Sequence, residues 1–238
     1  VLIFKGLALD DATQLAFTAT LGETIVRKSQ GWSDEFPGIY RVALDPEANA
    51  EMYVKGAWDW HIDGATSNAF PPRATMLSCH QPPTGEGGET EFVNTYAAYD
   101  SLDEEERAHL ESISVLHKVR PETYTHKPKV SDADRERLER EPEQKHPVVW
   151  THTDGRKSLV LGITVSHIDG MPYEEGRAIM YDLLDRVTRP EHILQHTWSL
   201  NDVVIWDNTG TMHRGRPFTE ESGRDMHRTT IAGSEAIN

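Results

Sequence analysis

The sequence predicts a mainly β fold with flanking helices, a sandwich or barrel carrying a few helical decorations. Short segments of alternating apolar and polar residues recur along the chain, bounded by Gly, Pro, Asn or Asp. Few stretches carry the apolar period of a helix. No repeat of the roughly 20–50 residues that a solenoid needs is visible.

The elements follow in order. Val1-Leu2-Ile3-Phe4 reads as a buried strand entered midway, which suggests that an N-terminal segment of the protein precedes it. Asp10 is expected to cap a helix through about Leu21, with Leu15, Ala16 and Ala19 on one face. Residues 31–56 are aromatic and irregular apart from a strand at 39–42, and 73–80 alternates as a strand. Residues 82–88 form a turn-rich loop, 89–93 a short strand, and 102–112 a helix with acidic residues in its first turn. The most polar stretch is 123–147, where Ser131 caps a short charged helix that Pro142 limits. It reads as a solvated surface helix or as a mobile lid inserted between strands, and the two are compatible. Residues 148–152 and 157–162 form a β-hairpin around Asp154-Gly155. Residues 173–187 form an amphipathic helix with Ile179, Met180, Leu183, Leu184 and Val187 facing the core. Strands are expected near 192–198, 203–207, 211–218 and 224–232.

The 238 residues suit one domain over 1–238 with a full core. Lys and Arg number 24 against 39 Asp and Glu, a net charge of −15. Such a surface repels nucleic-acid phosphate and anionic membranes, so neither is expected as a partner. Cys79 is the only cysteine, which rules out an intrachain disulfide and a Cys-based zinc site and suits a reducing cytoplasm. No apolar run is long enough to span a bilayer.

The chemistry centres on Trp58-Asp59-Trp60-His61-Ile62-Asp63. On an extended strand, His61 and Asp63 share one face. They are either a hydrogen-bonded surface pair or two ligands of a 2-His-1-carboxylate iron site. Asp207-Asn208-Thr209-Gly210-Thr211-Met212-His213-Arg214 offers a third ligand in His213. If 211–218 and 224–232 form a hairpin symmetric about Glu221, His213 lies opposite Thr229 and Arg214 opposite Arg228. Arg228 would then sit near the metal end, with Arg224 about 13 Å along the strand at ~3.3 Å per residue. Two guanidinium groups on one face need anions. Either surface carboxylates supply them, or a dicarboxylic acid does, chelating the metal at one end and held by Arg224 at the other.

Taken together, Trp60-His61-x-Asp63, Gly87-Gly88-Glu89-Thr90, Ile205-Trp206-Asp207-Asn208, His213, an arginine eleven residues on and another four beyond resemble the taurine dioxygenase family of Fe(II)- and 2-oxoglutarate-dependent oxygenases. The resemblance runs from the Val1 strand to Gly233 and implies a double-stranded β-helix, or jelly roll. It implies that His61, Asp63 and His213 ligate Fe(II), and that Thr90 and Arg224 hold the distal carboxylate of 2-oxoglutarate. Arg228 would lie near the co-substrate's other carboxylate and the substrate anion. It further implies that 2-oxoglutarate and O2 fill the remaining iron positions, that succinate and CO2 are released, and that a C–H bond is hydroxylated.

The expected substrate is a small organic anion: a sulfonate, sulfate ester or carboxylate. Family members acting on taurine carry an asparagine four residues before the first iron histidine and a histidine further upstream. Here the first position is Ala57 and no histidine precedes His61. Trp32, Tyr53 and Trp58, with Phe70, would instead line a pocket for a larger, less polar body, or else pack in the core. Taurine itself stays open as the alternative, as do a non-oxygenase metal-binding cupin-like barrel and a metal-free binding β-sandwich. Trp150, Trp198 and Trp206 are expected in the core, and a homo-oligomeric state is expected.

Overall fold

In the computed structural model, which describes residues 1–45, 49, 51–67 and 69–238, the chain begins with β1 (Leu2–Phe4), α1 (Asp11–Leu21), β2 (Tyr40–Ala43) and α2 (Glu51–Gly56). It continues through β3 (Ala74–Gln81), β4 (Thr90–Asn94), α3 (Thr95–Asp100), α4 (Glu104–Glu111), β5 (Ser114–His117), α5 (Asp132–Arg140), β6 (Gln144–Pro147), β7 (Val149–Thr151), β8 (Lys157–Leu159) and β9 (Val165–Ile168). It ends with α6 (Tyr173–Val187), β10 (Ile193–His196), β11 (Val203–Asp207), β12 (Thr211–Gly215) and β13 (Asp225–Ile231). Within the stretch expected to be irregular, α2 is a short helix; positions 46–48 and 50 of that stretch lie outside the described residues.

The fold is mainly β with several helices. A five-stranded sheet has the order β1-β11-β3-β13-β2, and a three-stranded sheet the order β10-β4-β12. A second three-stranded sheet, β6-β5-β9, and the hairpin β7-β8 complete the set, and every pairing is antiparallel. From β3 to β4, and again from β10 through β13, the chain passes back and forth between the first two sheets. The described residues close no barrel. No helix among them is long and apolar enough to cross a membrane.

Leu77, Cys79, Val204, Trp206 and Met226 of the five-stranded sheet pack with Phe92 of β4 and with Trp198. A larger cluster joins Trp60, Val115, Trp150, Leu161, Met180, Leu184 and Met212. Burying each of the Val, Leu and Met side chains among these contributes about 1.5–3 kcal/mol. Along α6, Met180, Leu183, Leu184 and Val187 are buried as the periodicity predicts, whereas Ile179 lies at the edge of the stripe and is 38% exposed.

Three expectations are corrected. First, β1 is an exposed edge strand rather than a buried one: it pairs only with β11, and Leu2 is 59% exposed. Second, α1 is capped by Asp10, which accepts from the Thr13 amide, but its buried face is Gln14 and Thr18 rather than Leu15, Ala16 and Ala19. The cause is the surface beneath it. Ser78 Oγ donates to Gln14 Oε1 at 2.6 Å, Gln14 Nε2 donates to the His227 carbonyl at 3.1 Å, and the Thr18 and Thr229 hydroxyls meet at 2.7 Å. A buried polar face is matched by polar partners, which is the condition for burying it.

Third, β12 and β13 do not pair with each other. β12 pairs with β4, placing His213 beside Phe92, while β13 pairs with β3 and β2, placing Arg228 beside Leu77 and Tyr40. Between them Pro217, which has no N–H for a ladder, and a 3₁₀ turn at Glu220–Ser222 carry the chain from one sheet to the other. The expected facing of His213 with Thr229 therefore does not exist.

Candidate active site

His61 follows the core-buried Trp60 and forms an isolated antiparallel bridge with His213. The His61 amide donates to the His213 carbonyl at 3.0 Å and the His213 amide to the His61 carbonyl at 2.9 Å. Their rings lie 4.3 Å apart, centroid to centroid. His61 Nδ1 lies 2.9 Å from the Asp59 carbonyl. A carbonyl only accepts, so Nδ1 carries the proton and the Nε2 lone pair is free for a metal. His61 Nε2 stands 3.9 Å from Asp63 Oδ1. One donor atom from each of His61, Asp63 and His213 lies within 4.8 Å of the others.

The protonation states suit a cation. Burial acts to raise the Asp63 pKa, but His213, Arg228, His61 and the Thr75 hydroxyl outweigh it and hold the carboxylate at about 2. Burial, with His61 and Arg228 adding to it, lowers His213 to about 3 despite the opposing Asp63 charge. An ionised carboxylate and two imidazole lone pairs converging on one point form the donor set of a non-haem iron site, and His213 Nδ1 is buried without a protein partner.

The groups orienting Asp63 were not singled out in the sequence. Thr75 Oγ1 donates to Asp63 Oδ2 at 3.2 Å, and Asn208 Nδ2 donates to Thr75 Oγ1 at 2.9 Å. Asn208 belongs to a recognisable motif, but its partner is 133 residues away in the chain. Asp59 is anchored from the 123–147 segment, accepting from the Thr125 amide at 3.0 Å and from the Thr125 hydroxyl.

Thr90 begins β4 and is 4% exposed; Trp198 Nε1 donates to its Oγ1 at 3.0 Å, leaving the hydroxyl hydrogen free to donate. Arg224 is 5% exposed, stacks on Phe218 with its guanidinium carbon 4.8 Å from the ring centre, and donates from Nε to the Gly88 carbonyl at 3.0 Å. No carboxylate among the described residues forms an ion pair with it, and burial pushes its pKa down to about 10. The close approach needs glycine. Gly87 has φ +88°, and a Cβ there would lie 1.8 Å from the Pro217 carbonyl oxygen. Arg228 packs on Tyr40, 4.8 Å from the ring centre, and its Nε is buried without a hydrogen-bond partner.

A cavity of about 560 Å³ opens beside these groups. Asp63 and Arg228 reach its wall, together with Trp32, Tyr40, Tyr53 and Phe70. Trp58 does not: it is 7% exposed and packs with Val54 and Phe218. Tyr40 is a wall residue that the sequence does not mark, because it reaches the cavity only when β2 pairs with β13 and sets it beside Arg228.

Residues 1–230 match the model of the taurine catabolism dioxygenase TauD, TfdA family, and the chain belongs to that family. It is an α-ketoglutarate-dependent dioxygenase by class, which answers the cupin-like and binding-sandwich alternatives. An α-ketoglutarate-dependent 2,4-dichlorophenoxyacetate dioxygenase from Burkholderia sp. (strain RASC) is 32% identical over 98% of this chain and 82% of its own length. An α-ketoglutarate-dependent sulfate ester dioxygenase from Pseudomonas putida is 30% identical, over 100% of this chain and 78% of its own. Among solved structures, AAD-2 in complex with Mn(II) and N-oxalylglycine superposes with a TM-score of 0.82 at 29% identity, covering 99% of this chain and 84% of that one.

Proposed function

We propose that the enzyme hydroxylates a C–H bond of a small organic anion with an apolar body, using Fe(II) held by His61, Asp63 and His213, with 2-oxoglutarate and O2 as co-substrates. The observation that carries this reading is the convergence of those three donors, of which Asp63 lies on the wall of a cavity that Arg228 also lines. Fe(II), when bound, supplies the activation of O2 that is coupled to decarboxylation of 2-oxoglutarate to succinate and CO2. The protein's own residues bind and orient. The free hydroxyl hydrogen of Thr90 and the unpaired guanidinium of Arg224 receive the distal carboxylate of 2-oxoglutarate. Arg228, with no carboxylate ion-paired to it among the described residues, receives the other carboxylate or the substrate anion.

Trp32, Tyr53 and Phe70, with Tyr40, surround the substrate body and exclude water. Phenoxy acids, sulfate esters and sulfonates, the substrates named for relatives, fit such a wall. We further read the two sheets exchanging strands β10–β13 as the faces of a double-stranded β-helix in one domain over 1–238, and the 123–147 segment as a lid. The lid reading is supported by the bond from Arg137 Nη2 to the Tyr53 hydroxyl, 3.0 Å long, which joins α5 to the cavity wall. A cytoplasmic location suits the single buried thiol of Cys79, and self-association suits the exposed apolar edge of β1.

The test is to add Fe(II) and then 2-oxoglutarate to the metal-free protein under anaerobic conditions. A visible metal-to-ligand charge-transfer band, absent in His213→Ala, supports the assignment. A flat spectrum from folded wild-type protein rejects it.

A further inference from the structure

The opposite face of the five-stranded sheet carries a second histidine–carboxylate cluster. Along β13, Arg228 and Thr230 face the cavity. His227 and Thr229 alternate with them and lie under α1. There Asp11, the first residue of α1, meets His80 of β3 and His227 of β13, with one donor atom of each within 4.8 Å of the others. His227 Nδ1 lies 2.6 Å from Asp11 Oδ1, and His80 Nε2 lies 3.9 Å from the same oxygen. The two imidazoles stack at 3.8 Å with 21° between their planes. Asp225 Oδ1 stands 3.9 Å from His227 Nε2, with its carboxylate engaged by Arg41. The three side chains are 17–30% exposed, open enough for an ion to enter and buried enough to strip part of its hydration.

We infer that Asp11, His80 and His227 form a second divalent-cation site, separate from the triad, that staples the first turn of α1 to the sheet. Ligands bound tetrahedrally at ~2.0–2.1 Å stand about 3.3 Å apart, and the 2.6 and 3.9 Å spacings bracket that value. Two imidazoles and one carboxylate favour a borderline ion such as Zn(II), with water in the fourth position. The ion takes the place of the direct contact between His227 Nδ1 and Asp11. Burial first, then the neighbouring His227, lowers the His80 pKa, and Asp11 and Asp225 oppose this. His80 Nε2 also lies 3.1 Å from Ser78 Oγ, and ligation replaces that contact by moving the ring proton to Nδ1. The staple has a purpose in this fold because the buried face of α1 is polar and gains little from apolar burial.

The experiment uses the full chain, stripped of metal and titrated with Zn(II), with bound metal measured by elemental analysis after gel filtration. Wild type is expected to bind two equivalents. His61→Ala with His213→Ala is expected to bind one, and adding His80→Gln to that variant is expected to weaken this binding by roughly 100-fold or more, since losing a ligand costs more than losing its supporting partner. Micromolar Zn(II) is also expected to raise the melting temperature of the triad-less variant. Should the combined variant fail to fold, Cu(II) bound to the triad-less protein is read by electron paramagnetic resonance, where coupling to two imidazole nitrogens supports the site and its absence overturns it. A triad-less protein that binds no metal overturns this inference and leaves the triad standing. One equivalent in wild type, retained without the triad and lost with His80→Gln, supports the outer site and removes the triad assignment instead.

Discussion

His61 and His213 are fixed from behind, by a shared main-chain bridge and by the Asp59 carbonyl, so their imidazoles would reach the proposed metal position with little entropy left to lose. His61→Ala or His213→Ala leaves two donors, which cannot hold a facial site, and is expected to abolish tight Fe(II) binding and nearly all turnover; unchanged iron affinity on titration of both variants would remove them from the ligand set. Arg224 is a different kind of residue, a buried cation awaiting an anion. Arg224→Ala is expected to raise the 2-oxoglutarate concentration needed for half-maximal rate by roughly 10–100-fold, from a charge-assisted bond worth ~1.5–3 kcal/mol, with iron affinity unchanged. A wild-type requirement in that variant would assign the carboxylate to another group. The triad was legible in the sequence because its chemistry is carried by residue type and order. Thr75 and Tyr40 were not, because a threonine or tyrosine on a strand acquires its partner only when distant strands meet.

The elements were read well wherever their stability is local. The Asp10 cap, the hairpin around Asp154-Gly155 and the apolar stripe of α6 each depend on neighbours within a few residues. The errors fall where a tertiary surface decides. The polar underside of α1 answers to Ser78 and Thr229, and the supposed final hairpin is a crossing between sheets, since two consecutive strands with a plausible loop carry no mark of which sheet each will join. Strand β5 illustrates a cost that periodicity does not display. His117 is fully buried, 3.0 Å from the Thr164 hydroxyl, and burial, with His146 adding to it, lowers its pKa to about 3. Since the folded value lies below the unfolded value of ~6.5, the unfolded state takes up more protons, so this contribution to stability is complete above pH ~6.5 and is lost as the pH falls towards 3. His117→Gln is expected to flatten the fall in unfolding free energy between pH 6 and 4 by up to about 1.4 kcal/mol per pH unit, measured by urea titration. Parallel curves for the two proteins would show that His117 is not the group responsible.

At the scale of the whole molecule, a −15 chain concentrates two arginines, Arg27 and Arg228, on the wall of an aromatic cavity. Against that acidic background they provide local attraction for an anion that the rest of the surface repels. Among the described residues of the wall there is no asparagine or histidine, and the aromatic rings favour an apolar body. Each methylene that the aromatic wall buries contributes about 0.8 kcal/mol. Succinate release across taurine, longer alkyl sulfonates, alkyl sulfates and aryloxy acids is therefore expected to give the highest kcat/KM with a bulkier anion, ahead of taurine by roughly tenfold or more. If taurine leads the panel, the enzyme is a taurine dioxygenase in the narrow sense and the aromatic wall serves packing.

The reciprocal main-chain bridge between His61 and His213 sets a rule for how this chain can vary over generations. Side chains alternate along β12, so gaining or losing one residue between Asp207 and His213 would turn the imidazole away and present Met212 or Arg214 in its place. A single-codon insertion or deletion there is expected to abolish catalysis. Length polymorphism among natural variants should accordingly spare the stretch from 207 to 213.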